Sequence, residues 1–423
     1  MATLVKNISS LVTVNADGKK YKIGKEMQDI GEIKDGAIIF DDKILFVGTT
    51  KSAEEAIKNK KFNIESTIDA NGKTILPGFV DSHTHIVFGG NRSGEFARRL
   101  RGVTYQEIAQ EGGGILTTVK GTRQASLEQL VKRGRQLAHS AMSYGTTAME
   151  VKSGYGLNLE SEIRQLQAID HLKKELDMHI SATFLGAHDV PPEYKSNRQM
   201  YIDIIKREMI PTVAEMRIAD YCDAFIDKGY YTLLEGEEIL KAGLSYGMKL
   251  KVHCDELADF GSASLAASLG AISADHLLFV SDEGIEAMQE ANTVACLLPG
   301  TAYFIRMPYA NARKIIDSGC ITAISTDCNP GSSFTENMQL ILSLSVINMN
   351  MTAEEAITAA TLNGAAAIEQ SHKMGSLEPG KDANFIVCNI DSYTDLFYHF
   401  GINHVKETWI NGKKISLISP LNS

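Results

Sequence analysis

Short apolar runs and alternations open the chain. SSLVTV (9–14), GAIIFDDKILFVG (36–48) and TILPGF (74–79) are split by Asp/Gly turns such as DANGK (69–73) and predict β-strands. The same kind of material returns near the end. After MGSLEPGKDANFIVCNI (374–390) comes VKETWINGKKIS (405–416), in which Asn411-Gly412 predicts a two-residue hairpin turn. The two ends therefore predict one β-domain, discontinuous in sequence (residues 1–74 and 371–423), with residues 75–370 inserted between its halves.

Within that insert the period switches back and forth. SLEQLVKRGRQLAHSAMSYG (126–145) and AEEAITAATLNGAAAIEQ (353–370) place apolar residues at helical spacing. Between such stretches lie eight strand-like runs: TILPGFVDSHTH, TTAMEVKS, HISATFLGAH, YCDAFID, LKVHCDE, ISADHLL, TVACLLP and ITAISTDC. Alternation of this kind predicts βα units on a parallel sheet, an α/β fold closed as a (β/α)8 TIM barrel.

With 423 residues the chain is long enough for such a barrel and a smaller domain beside it. Its net charge of −10, with no basic block, argues against nucleic acid or an anionic membrane as partner and favours a small-molecule substrate. The six cysteines are scattered with no C-x-x-C pair and no secretory leader before them, which predicts reduced thiols and a cytoplasmic protein. No apolar stretch is long enough to span a bilayer.

The chemistry should then sit at the C-terminal ends of the barrel strands. His83 and His85 project from one face of the first strand end, and His253, His276 and Asp327 occupy the same position in the fifth, sixth and eighth. Taken singly, a strand-end histidine is more often a hydrogen-bonded core residue. Gathered at one barrel mouth, imidazoles and a carboxylate suit Zn2+ or an iron ion better than Mg2+ or Ca2+. Such an ion lowers the pKa of coordinated water and polarises a carbonyl, so hydrolysis needs no nucleophilic side chain. Glu256, three residues beyond His253, is with His276 the candidate for moving protons; the bland alternative for Glu256 is a loop carboxylate. Gly112-Gly113-Gly114 lacks the Lys-Ser/Thr of a phosphate loop, so nucleotide binding is not expected.

VDSHTH in the first strand, histidines ending the fifth and sixth, and STD in the eighth resemble the amidohydrolase superfamily, whose members hydrolyse or deaminate cyclic amides and amidines. The flanking β-domain is similar to that superfamily's composite β-sandwich. Longer stretches resemble the imidazolonepropionase family within it, the enzymes of histidine degradation: FGGNRSGEFARRLRGVTYQEIAQEGGGI, TTAMEVKSGYGLNLESE, TFLGAHDVPPEY, HCDE and STDCNPGSS.

The resemblance implies one Zn2+ or Fe3+ per subunit, held by His83, His85, His253 and Asp327, with His276 left as a catalytic or supporting residue. It implies hydrolysis of 4-imidazolone-5-propanoate to N-formimino-L-glutamate, with Glu256, His276 and Asp327 catalytic. It makes Arg92 a clamp for the propionate carboxylate. Tyr155 and His188 become ring and tail contacts, whose bland alternative is packing at the barrel rim. Asn329, Gly331 and Ser332 form a turn beside Asp327 that can aim N–H groups at a carboxylate. Glu256 is counted among the substrate contacts as well. A homodimer is the superfamily expectation. Many relatives hold a second metal through a carboxylated lysine at the fourth strand; here Lys228 reads as an exposed loop residue. The alternative is a deaminase or cyclic amidase of another small heterocycle, which would share the ligands but not need Arg92 or the NPGSS turn.

Overall fold

The computed structural model describes residues 2–103, 107 and 112–416. Residues 104–106 and 108–111, inside the long FGGNRSGEFARRLRGVTYQEIAQEGGGI stretch, lie outside the described residues, as do 417–423. The N-terminal part supplies strands β1 (Ala2–Val12), β2 (Glu32–Phe40), β3 (Ile44–Thr49), β4 (Ile64–Asp69) and β5 (Thr74–Pro77). The insert supplies β6 (Phe79–Asp81), β7 (Thr146–Lys152), β8 (His179–Ala187), β9 (Tyr221–Ile226), β10 (Lys249–Cys254), β11 (Ser273–His276), β12 (Val294–Leu297) and β13 (Thr322–Ile324). The C-terminal part adds β14 (Phe385–Cys388), β15 (Val405–Ile410) and β16 (Lys413–Lys414).

The two chain ends share one sheet, ordered β16-β15-β14-β5-β1-β2-β3, with β4 also paired to β1. They meet where β14 runs antiparallel to β5, Val387 opposite Ile75. Alternate residues of these strands close a core of Ile8, Leu11, Ile38, Phe40, Ile75 and Phe385. The Asn411-Gly412 turn forms as its sequence predicts, with positive φ at both residues (50° and 70°), joining β15 to β16.

Strands β6 to β13 form the second sheet, all parallel and adjacent in chain order. Helices such as Leu127–Ser143, Leu159–Glu175 and Leu233–Ser245 return between them, the first started by a Ser126/Gln129 capping box. This is the expected barrel. Its closure comes just past the ends of β6 and β13: Ser82 N–H donates to Ser325 Oγ at 2.9 Å, and Thr84 bridges to Cys328.

Two sequence expectations are corrected. TILPGFVDSHTH is not one strand but two: β5 belongs to the first sheet and β6 to the barrel. The break follows Pro77, which has no N–H to continue a ladder. The helical run AEEAITAATLNGAAAIEQ divides into Ala353–Ala360 and Leu362–Ala367. At the junction Thr361 leaves helical geometry and its hydroxyl donates back to the Ile357 carbonyl at 2.7 Å. Among the described residues no helix is long and apolar enough to cross a membrane.

Candidate active site

A cavity of about 1030 Å3 opens at the C-terminal ends of the barrel strands. His85, Arg92, Tyr155, His188, His253, Glu256, His276, Asp327, Asn329, Gly331 and Ser332 all line it. His83 lies beneath, completely buried. A second cavity, of about 890 Å3, opens at the opposite ends of β8 to β10. Paired charges line it, Lys173–Asp220 and Lys249–Glu369.

Strand alternation puts Glu150 and Lys152 of β7, Asp223 of β9, Lys251 and His253 of β10 and Asp275 of β11 inside the barrel, all buried. His83 Nδ1 faces Asp275 Oδ2 at 2.7 Å and His253 Nδ1 faces Asp223 Oδ1 at 3.1 Å. A carboxylate only accepts, so each ring donates from Nδ1 and turns a bare Nε2 toward the cavity. The Nε2 atoms of His83 and His85 stand 3.3 Å apart, and Asp327 Oδ1 lies 3.5 Å from both.

One nitrogen from each of His83, His85 and His253 falls within 4.8 Å of the others. Lone pairs that converge at this range repel unless a cation sits among them. Among the described residues His253 Nε2 has no hydrogen-bond partner although buried, as expected of an atom reserved for an ion. The donor set therefore fits a metal of the zinc or iron kind. Lys228 is exposed beyond β9 and is not among the residues that line the cavity.

Electrostatics keeps His83 and His85 ready to ligate. Burial pushes His83, His85 and His276 well below the ordinary histidine range, so these rings are neutral. For His253 burial acts the same way, but the Asp223 carboxylate outweighs it and raises the pKa. Burial would lift Asp223 too, yet His253 and Lys152 hold it below the usual carboxylate range. Burial raises Asp327 to about 6, and Thr301 donates a hydroxyl hydrogen bond to its Oδ2.

Glu256 follows β10 in a loop shaped by Asp227, whose Oδ2 accepts the N–H groups of Glu256 and Leu257 at 2.7 and 2.9 Å. Burial, reinforced by Asp327, pushes its carboxyl up to about 8. Its Oε2 lies 3.8 Å from His276 Nδ1, too far for a hydrogen bond but close enough for a shared water or substrate atom. His276 has φ 80°, a left-handed backbone costly for a non-glycine residue, which turns its ring toward the cavity.

Across the cavity His188 stacks on His85, ring centres 5.3 Å apart, and Tyr155 packs 5.2 Å from His188. The loop carrying Tyr155 is held by the buried Glu162 carboxylate, which accepts the N–H groups of Gly154, Gly156 and Leu157. Arg92 Nε donates to Glu95 Oε2 at 2.9 Å, and Glu95 also accepts from Gly114 N–H and Thr117 Oγ1. The rest of the Arg92 guanidinium lies against Gly331. A Cβ there would come within 2.2 Å of Nη1, so only glycine leaves the guanidinium where it lies. The N–H groups of Gly331 and Ser332 both donate to Asn329 Oδ1 at 2.8 Å, so that Asn329 shapes the turn from within.

Sequence reasoning passed over Lys152, Asp223, Asp275, Glu95 and Thr301. For the first three a signal existed: charge inside a strand-like run, in MEVK, YCDAF and SADH, is the informative kind of buried residue.

Known proteins place this geometry in a lineage. The chain is 45% identical over 414 residues to the imidazolonepropionase of Alkaliphilus metalliredigens (strain QYMF), covering 97% of each chain. It is 45% identical over 403 residues to the imidazolonepropionase of Thermoanaerobacter pseudethanolicus, covering 95% of each. A zinc-bound adenosine deaminase from Xanthomonas campestris shares the fold, with a TM-score of 0.70 at 17% identity over 97% of this chain and 92% of that one. The amidohydrolase family model matches residues 74–415, from β5 through the whole barrel and back into the first sheet, and the chain belongs to the amidohydrolase family.

Proposed function

We propose that the chain hydrolyses 4-imidazolone-5-propanoate to N-formimino-L-glutamate. The observation that carries this reading is the pairing of two features in one cavity: the convergent His83/His85/His253/Asp327 group, and an Arg92 guanidinium packed on the Gly331 turn and fixed at Nε by Glu95. The first suits hydrolysis of a cyclic amide and the second suits a substrate with a carboxylate tail. The high identity to imidazolonepropionases supports the same substrate.

A single Zn2+ or Fe3+ bound by His83, His85, His253 and Asp327 supplies Lewis acidity and a water of lowered pKa. The residues of the chain do the rest. Arg92 holds the propionate through its Nη groups, and His188 and Tyr155 set the plane of the ring. Water adds to the ring carbonyl carbon, the bond from that carbon to the ring nitrogen opens, and a proton ends on the leaving nitrogen. Glu256, with a carboxyl matched to neutral pH, moves that proton, and the neutral His276 ring, whose Nδ1 has no partner among the described residues, holds the carbonyl side. The turn at Asn329, Gly331 and Ser332 keeps the carboxylate end beside Arg92.

The same reading has the protein working as a homodimer, which sedimentation checks, and in a reducing compartment such as the cytoplasm, where its six free, buried cysteines stay thiols. The functional test follows loss of the ultraviolet absorbance of freshly made 4-imidazolone-5-propanoate, with metal content assayed on the same samples. Turnover by wild type and a loss of kcat/KM of ~100-fold in Arg92→Ala are expected. Metal-replete protein without turnover would move the substrate to another heterocycle.

A further inference from the structure

Lys152 is wholly buried at the end of β7, and its side chain has no place in the reaction described above. Its Nζ lies 2.7 Å from Glu150 Oε1, 2.9 Å from Asp223 Oδ2 and 3.6 Å from Asp275 Oδ2. Asp223 and Asp275 are the two carboxylates that face Nδ1 of His253 and His83. One ammonium on the second barrel strand thus reaches carboxylates of the fourth and sixth, and through them histidines at the ends of the fifth and first. Its backbone serves the same corner: Lys152 N–H donates to the Thr84 carbonyl at 2.8 Å, and Thr84 Oγ1 donates to the Glu150 carbonyl at 2.7 Å, gripping the residue between His83 and His85.

We infer that Lys152 is a positioning residue that locks His83 and His253 in the tautomer and ring orientation that present Nε2 to the metal. The reason is hydrogen-bond polarity at Asp223, which Nζ reaches at 2.9 Å, and opposite charge at Asp275, which at 3.6 Å is an ion pair that keeps the carboxylate ionised and accepting. An ammonium has donors only, so an oxygen facing it must accept. A carboxylate held as acceptor on that side accepts on the other as well, and the imidazole meeting it must donate from Nδ1. Each Nε2 is then bare. Without Lys152 the two carboxylates would stand together in a dry barrel with their nearest shared counter-charge gone, free to rotate or to draw in water, and the rings would lose their fixed donor direction. Lys251 cannot substitute: its Nζ donates to the Ser82 carbonyl at 3.0 Å, and among the described residues the carboxylate it pairs with is Glu150, at 3.8 Å.

This inference rests on His83 and His253 being ligands, and not on which heterocycle is the substrate. Its test uses the full chain and Co2+ as the probe. Metal-free wild type, Lys152→Met, Asp275→Asn and the double variant are compared by chelator competition, visible d–d absorption and far-ultraviolet circular dichroism. Lys152→Met is expected to keep the wild-type fold, to bind Co2+ ~10- to 100-fold more weakly and to show altered d–d bands. The double variant should lose no more than the worse single variant, because both changes interrupt one path. A Lys152→Met protein with wild-type affinity and spectrum, altered only in melting temperature, would overturn the inference while leaving the ligands in place. Wild type that binds no Co2+ would overturn the ligand reading itself. A measurement on wild type decides the matter even if Lys152→Met does not fold: in metal-free protein labelled with 15N-histidine, assigned through His83→Gln and His253→Gln, both rings should carry their proton on Nδ1. A neutral ring with its proton on Nε2 and none on Nδ1, at either position, rules the lock out.

Discussion

The backbone N–H of Asp327 donates to the carbonyl of His83 at 3.1 Å, and one residue on, His85 N–H donates to the Cys328 carbonyl at 2.9 Å. These bonds join the first and last strands of the barrel beyond the point where β6 and β13 end. Three of the four proposed ligands therefore lie on the seam that closes the barrel. The proposed metal site and the closure of the fold are one piece of structure.

Metal removal should be felt at that seam. A chelator is expected to lower the melting temperature, since an ion at ~100 times its Kd contributes about 2.7 kcal/mol to the folded state. Hydrogen exchange should rise in 82–86 and 325–329 more than elsewhere in the barrel. Exchange that rises evenly over all eight strands would count against a metal at the seam.

Gly331→Ala should fold, because the atom its new Cβ meets, Arg92 Nη1, is the end of a flexible side chain. The displaced guanidinium loses its fixed approach to a carboxylate. A charge-assisted hydrogen bond is worth ~1.5–3 kcal/mol, so KM should rise about 10- to 100-fold with kcat changed much less. An unchanged KM would place the carboxylate elsewhere.

Glu256→Gln keeps the shape of the loop but cannot accept or release a proton. We expect kcat to fall by ~100-fold or more while metal content and KM stay close to wild type. A change confined to KM would make Glu256 a binding group only.

Glu355 ties three segments together: it accepts from Arg313 Nη1 at 2.8 Å, from Thr352 N–H at 2.9 Å and from Gln28 Nε2 at 3.1 Å. Burial would raise its pKa, but Arg313 and the Thr352 N–H outweigh it and hold the carboxyl below the usual glutamate range. An acid with a depressed folded pKa stabilises above its unfolded pKa and loses that contribution as pH falls through the folded value. Glu355→Gln should therefore cost ~1–3 kcal/mol at about pH 7, and thermal melts should show the gap to wild type narrowing as the pH falls through and below the ordinary glutamate range. A gap independent of pH would mean the loss is one of packing.

Much of this molecule is written locally. Short apolar runs mark the barrel strands, period-3.6 runs mark helices such as Leu127–Ser143, and Asn411-Gly412 marks its hairpin, because backbone preference and burial act between near neighbours. His83 and His85 are legible for the same reason, being two apart on one strand end. What the tertiary structure alone decided is who meets whom across the barrel. Nothing near Lys152 in sequence announces Asp223, 71 residues away, or the two histidines behind the carboxylates it holds. The split of TILPGFVDSHTH between two sheets likewise depends on β14, which comes from the far end of the chain. Charges inside a closed barrel find partners only when the barrel closes, and it is the loss of water at that closure that makes each pairing obligatory.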